Sequence, residues 1–166
     1  PVRVGVFRPD DEIVDAVVGA TTERTELVLI DHVTSSTGLV VPVEQIIRTL
    51  QPRGIDVLVD GAHALGMLDL DLDALGAAYY TGNAHKWLCT PKGSAFLYVR
   101  EDRRDRIRPL VISHGAGFVD SDVPRYRREF DWTGTFDPTA ILCIPDSIDF
   151  FADLLDGGWE ELRERN

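Results

Sequence analysis

Two short polar segments carry the residue types that could perform covalent chemistry. Lys86 sits in Thr81-Gly-Asn-Ala-His-Lys-Trp-Leu-Cys89, directly after a strand-like run and between His85 and Trp87. A lone lysine is ordinarily a solvated charge. In a partly desolvated pocket the neutral amine is favoured, and that amine attacks aldehydes. Thr81, Asn83 and His85 can donate hydrogen bonds to an anion beside it. Asp60 closes the apolar run Ile55-Asp-Val-Leu-Val59 and precedes Gly61-Ala-His63. Alone, such a carboxylate reads equally well as a helix N-cap. Paired with a lysine at a neighbouring strand end, it suggests a site for pyridoxal phosphate (PLP). There a carboxylate keeps the pyridine nitrogen protonated, so that the ring can take up the electrons of a carbanion.

These segments must be positioned by regular elements, and the chain alternates strand-like and helix-like stretches. Val2–Phe7 is rich in β-formers, and Asp10–Ala20 has helical apolar spacing at Ile13, Val14, Val17 and Val18. Leu27–Asp31 is a short apolar run. Pro42 opens a helix through about Leu50, Gly54 breaks it, and Ile55–Val59 is a strand. Leu72–Leu75 is a helical turn, Ala77–Thr81 and Ser94–Arg100 are strands, and Pro138 starts a last amphipathic helix through about Leu155. This alternation predicts an α/β fold with a largely parallel sheet whose strands are buried on both faces. Ligands in such sheets bind beyond the carboxyl ends of the strands. The polar segments Asp31–Gly38, Asp60–His63 and Thr81–Lys86 are therefore expected along one rim.

The 166 residues suffice for one domain with one core. A formal net charge of −11 repels nucleic-acid phosphates and anionic lipid, so neither is an expected partner. The arginine-rich stretches 100–108 and 125–128 read as solvated faces. Two cysteines, Cys89 and Cys143, have no metal spacing and are too few for a disulfide scaffold, so a cytoplasmic location is the default. Asp69-Leu-Asp-Leu-Asp73 mimics a calcium loop, but Ala74 and Tyr80 stand where Gly and Glu belong. The four histidines lack zinc-site spacing. The chain starts as if a strand were under way and stops inside a helical pattern, which suggests a piece of a larger protein.

Val59-Asp-Gly-Ala-His63, Asn83-Ala-His-Lys86 and Pro91-Lys-Gly-Ser-Ala95 together resemble the class V aminotransferases. His before Lys, then Gly93, Ala95 and Leu97, fit the family's pattern around its lysine. Asp31-His-Val-Thr-Ser-Ser-Thr-Gly38, Tyr80–Cys89 and Phe130-Asp-Trp-Thr-Gly-Thr-Phe-Asp-Pro138 are most similar to the isopenicillin N epimerase-like branch. The resemblance covers nearly the whole chain. It implies the large-domain core of the aspartate-aminotransferase-like fold, without its N-terminal part and C-terminal small domain. It also implies a PLP cofactor and a homodimer acting on a small amino-acid substrate.

By the same resemblance, Lys86 forms the Schiff base and moves protons at the substrate α-carbon, and Asp60 pairs with the pyridine nitrogen. His63 lies near the ring, at a position where many relatives have Gln. Asn83 and His85 contact the cofactor phosphate, and Thr135 reaches the phosphate of the other subunit. Ser35 stands where desulfurases have an Asn near the cofactor, which leans toward the epimerase branch. Cys89 and Cys143 do not match a desulfurase's nucleophile. The alternatives are a cysteine desulfurase or carbon–sulfur lyase of the same family and, in a different class, a non-catalytic fragment that only dimerises or binds PLP.

Overall fold

A computed structural model describes residues 9–118 and 122–166. The strand expected at Val2–Phe7 lies outside the described residues. The first described element is helix α1 (Asp10–Gly19), whose first turn carries Asp10, Asp11 and Glu12 at the positive end of the helix dipole. It buries Ile13 and Val17. Strand β1 (Leu27–Asp31) follows, then α2 (Val43–Leu50), entered through Pro42. Val43, Ile46, Ile47 and Leu50 recur at helical spacing on the buried face of α2. Full burial of each such side chain contributes about 1.5–3 kcal/mol. A 3-10 turn ends at Gly54, whose φ of +75° only glycine adopts without strain, and the chain drops into β2 (Asp56–Asp60).

After the short helix α3 (Leu72–Leu75) come β3 (Tyr79–Asn83) and β4 (Ala95–Val99). The sheet order is β1-β2-β3-β4. The first three strands are parallel and the fourth is antiparallel to β3. A parallel return needs a crossover, usually a helix. The link between Asn83 and Ala95 is too short for one and turns back through Pro91 and Gly93 instead.

The core lies on one face of this sheet. Val57, Val59 and Tyr80 pack there with Ile13, Ile46, Leu50 and their neighbours from α1 and α2. The opposite face corrects the expectation of strands buried on both sides. Leu27, Leu29 and Leu97 stand 49%, 68% and 39% exposed, because the described segments that reach this face, around Ile107 and Phe130, cover it only in part.

Two other expectations change. The arginine-rich stretches are tied into the fold. Arg103 donates from Nε to both oxygens of half-buried Asp56 at 2.9 and 2.8 Å. Arg108 and Arg125 both pair with Glu129, which is 4% exposed. The last helix is also not continuous. It divides at Cys143 into α5 (Thr139–Leu142) and α6 (Ile144–Asp153), with Pro145 in the first turn of α6, where its missing N–H costs least. A further helix α7 (Gly158–Arg165) follows, preceded by α4 (Arg125–Phe130) earlier in the chain. No described helix is long and apolar enough to cross a membrane.

Candidate active site

The strand register brings the expected rim together. Asp31 is level with Asp60, and Asp60 with Thr81, so the three polar segments leave β1, β2 and β3 at the same edge. The ladder continues one step further, with His32 N donating to Asp60 O and Gly61 N to Thr81 O, each at 2.8 Å. Beyond it, Asp60 Oδ1 accepts from Ala62 N at 2.9 Å, a local turn that fixes the carboxylate. The other carboxylate oxygen has no protein partner among the described residues.

Lys86 lies in the turn after β3 and is half-buried. Its Nζ is 3.0 Å from His63 Nε2, which joins the two segments singled out in the sequence. Trp87 Nε1 donates to the other ring nitrogen, His63 Nδ1, at 3.2 Å. His85 turns the opposite way. Its Nδ1 is 3.0 Å from the Ser94 carbonyl, which can only accept, so Nδ1 carries a proton. Asn83 ends β3 opposite Ala95, and its carbonyl accepts from Lys86 N at 3.4 Å.

Ser35 and Thr135 are not drawn into this cluster by any contact among the described residues. Ser35 is exposed in a tight loop closed by the Val33–Val40 bridge and by Leu39 N donating to Thr34 Oγ1 at 2.9 Å. Thr135 is exposed after α4, between Trp132 and Phe136, whose rings lie 5.6 Å apart.

Beneath the rim is a support that sequence reasoning missed. Tyr80 is fully buried, and its hydroxyl meets His32 Nδ1 at 2.9 Å. Burial, with the charge of Asp60 adding to it, pushes the Tyr80 hydroxyl well above its ordinary range, so it stays protonated. Burial pulls His32 below its ordinary value, so it stays neutral at neutral pH. A β-carbon on Gly61 would fall 2.1 Å from the Tyr80 ring; only a bare backbone fits between Asp60 and Ala62. In the sequence His32 stood only within the Asp31–Gly38 segment and among histidines without zinc-site spacing. The signal for its role was its place directly after a strand-ending aspartate.

Comparison with known proteins identifies the family. The family model "Aminotransferase class-V" matches residues 8–136. The isopenicillin N epimerase of Amycolatopsis lactamdurans is 40% identical over 164 residues, covering 93% of this chain and 40% of that protein. A putative L-cysteine desulfhydrase 1 of Oryza sativa subsp. japonica is 37% identical over 153 residues, covering 90% of this chain and 30% of its own length. This chain thus spans well under half the length of these relatives. Among solved structures, the cystine C-S lyase C-DES in complex with its product cysteine persulfide superposes with a TM-score of 0.74 at 25% identity, over 89% of this chain and 40% of that one. The α/β core, the strand-end lysine and aspartate, and these matches agree: the chain belongs to the class V aminotransferase family of PLP-dependent enzymes.

Proposed function

We propose that this chain carries the cofactor-holding centre of a PLP-dependent enzyme acting at the α-carbon of an amino acid, with Lys86 as the covalent anchor. The observation that carries this reading is the Lys86–His63 contact of 3.0 Å on the same rim as Asp60. The residues present fit the cofactor. Asp60 keeps one oxygen free to accept from a protonated ring nitrogen, and Lys86 supplies a half-buried amine. His63 is in contact with that amine. When bound, PLP supplies an electron sink for the carbanion left by α-proton removal. Lys86 holds the cofactor and, once displaced by the substrate's amine, takes and returns the α-proton. Asn83 and His85 are assigned to the cofactor phosphate. The Ser94 carbonyl holds the His85 Nδ1 proton, so only Nε2 of that ring is left to face an anion.

Ser35, in the loop after β1, is assigned to the cofactor's surroundings, and Thr135 to the phosphate of a second subunit. The exposed rings of Trp132 and Phe136 beside Thr135 support a homodimer contact there. The epimerase-like reading is favoured by the 40% identity to an isopenicillin N epimerase. A carbon–sulfur lyase is the second reading, supported by the 37% identity to a putative cysteine desulfhydrase.

The deciding experiment adds PLP to the chain and to Lys86→Ala, followed by borohydride reduction and peptide mass spectrometry. The expected result is one reduced pyridoxyl adduct, on Lys86, absent from the variant. Equal labelling of both proteins would overturn the assignment. Solvent deuterium entering the α-carbon with loss of chirality marks the epimerase, and sulfide release from cysteine marks the lyase.

A further inference from the structure

The hydrogen bonds around His63 fix more than its position. The Trp87 indole has a donor and no acceptor, so at 3.2 Å His63 Nδ1 must be the accepting, unprotonated nitrogen. A neutral imidazole with a bare Nδ1 carries its proton on Nε2. That nitrogen is the one 3.0 Å from Lys86 Nζ. Were Lys86 an ammonium donating to Nε2, both ring nitrogens would be acceptors and His63 would have to be an imidazolate. Trp87 thus donates to His63 Nδ1, and the ring nitrogen left to carry the proton, Nε2, is the one that faces Lys86 Nζ.

We propose that Trp87 is a positioning residue for Lys86, acting through His63: its indole N–H holds the ring in the tautomer that turns Nε2–H toward Nζ. The inference rests on the reading of Lys86 as the cofactor anchor. It adds a residue and a reason to that reading. Only the neutral amine has the lone pair that the reaction needs. Lys86 Nζ gives that pair to the aldehyde carbon, the carbonyl π electrons move to oxygen, and the two amine hydrogens leave with that oxygen as water. The arrangement also gives a purpose to a large aromatic residue left 49% exposed next to the lysine. Its ring lies 6.3 Å from the His63 ring at a 55° tilt, so it is placed by the hydrogen bond rather than by stacking.

The test is nitrogen-15 NMR of the histidine side chains without cofactor, in the wild-type chain and in Trp87→Phe. In the wild type His63 should show protonated Nε2, bare Nδ1 and a through-hydrogen-bond coupling to the Trp87 indole nitrogen. Trp87→Phe should lose the single tautomer. The rate of adduct formation with PLP at fixed pH should fall by roughly two- to tenfold, the span of one neutral hydrogen bond. In a His63→Gln background, where no ring tautomer remains to be chosen, Trp87→Phe should change the rate no further. A protonated Nδ1 in the wild type, or no coupling to the indole, overturns the proposal without recourse to any variant. An unchanged tautomer in Trp87→Phe does the same. If no adduct forms on Lys86 at all, the functional reading fails, while the NMR result still decides the hydrogen-bond chain on its own.

Discussion

Gly61→Ala tests whether the rim is built on the Tyr80 ring. The new β-carbon would sit 2.1 Å from Tyr80 Cε1 and 2.2 Å from Cζ and the hydroxyl oxygen. Carbon atoms pack at about 3.5–4.0 Å, so the ring or the backbone must yield by about 1.4 Å or more. The ring has little room. It is fully buried, stacked toward Phe96 at 6.4 Å and edge-on to His32 at 5.9 Å. A displacement of that size breaks the 2.9 Å bond between the Tyr80 hydroxyl and His32. Overpacking of this kind costs about 1–3 kcal/mol, and a buried polar pair left unsatisfied adds about 1–3 kcal/mol. We expect a loss of about 2–6 kcal/mol, a large part of a typical domain stability of about 5–15 kcal/mol.

The assay is urea denaturation, with Gly19→Ala as the control, since nothing lies within 4 Å of a β-carbon there. A double-mutant cycle then locates the cost. In Tyr80→Phe the clash remains, because the ring carbons remain. In Tyr80→Leu it should largely vanish, leaving a coupling of about 1–3 kcal/mol. A Gly61→Ala penalty equal in the wild-type and Tyr80→Leu backgrounds would refute the reasoning.

Two further predictions concern the same region. His32, pulled below its ordinary value of 6.5 by burial, binds its proton less readily folded than unfolded. Its contribution to stability is therefore full above about pH 6.5 and is lost as the pH falls through the lower folded value. The urea midpoint should drop more steeply below pH 6.5 in the wild type than in His32→Gln, and equal slopes would count against it. Cys89 holds a φ of +55°, a left-handed conformation that costs a side-chain-bearing residue about 1–2 kcal/mol. Cys89→Gly should raise stability by about 0.5–1 kcal/mol and Cys89→Val should lower it, with the order of urea midpoints as the check.

What the sequence disclosed follows from where local rules dominate. The helix Val43–Leu50 was legible because Pro42 and Gly54 bracket an apolar period of 3.6, and the strand Asp56–Asp60 because it is a short apolar run between breakers. The rim followed from one topological rule, and the register of Asp31, Asp60 and Thr81 shows why it holds: parallel neighbours end at the same edge. The direction of β4 was not in its composition. It depended on the length of the link before it, a weaker signal than apolar periodicity. Strand burial misled for a related reason. Leu27, Leu29, Leu58 and Leu97 alternate with apolar residues facing the core, so both faces look alike in sequence although the described residues cover the second only in part. The Trp87–His63 contact joins residues 24 apart across two strand ends, and no spacing rule reaches it.

The support beneath the rim bears on what Asp60 is for. Tyr80 is held protonated and His32 is held neutral, so neither can balance the carboxylate above them. Among the described residues no Lys or Arg pairs with Asp60, although half-buried Asp56 is matched by Arg103 and buried Glu129 by Arg108 and Arg125. Under the proposed function, the oxygen of Asp60 that no described residue engages is the one open to a cation from outside the chain. A half-buried carboxylate gains most from a partner that brings both a proton and a positive charge, because a charge-assisted hydrogen bond is about twice as strong as a neutral one. A protonated ring nitrogen provides both. The neutrality of the residues below Asp60 thus supports the proposed roles, in which Asp60 would pair with a protonated ring nitrogen and Lys86 would hold the aldehyde.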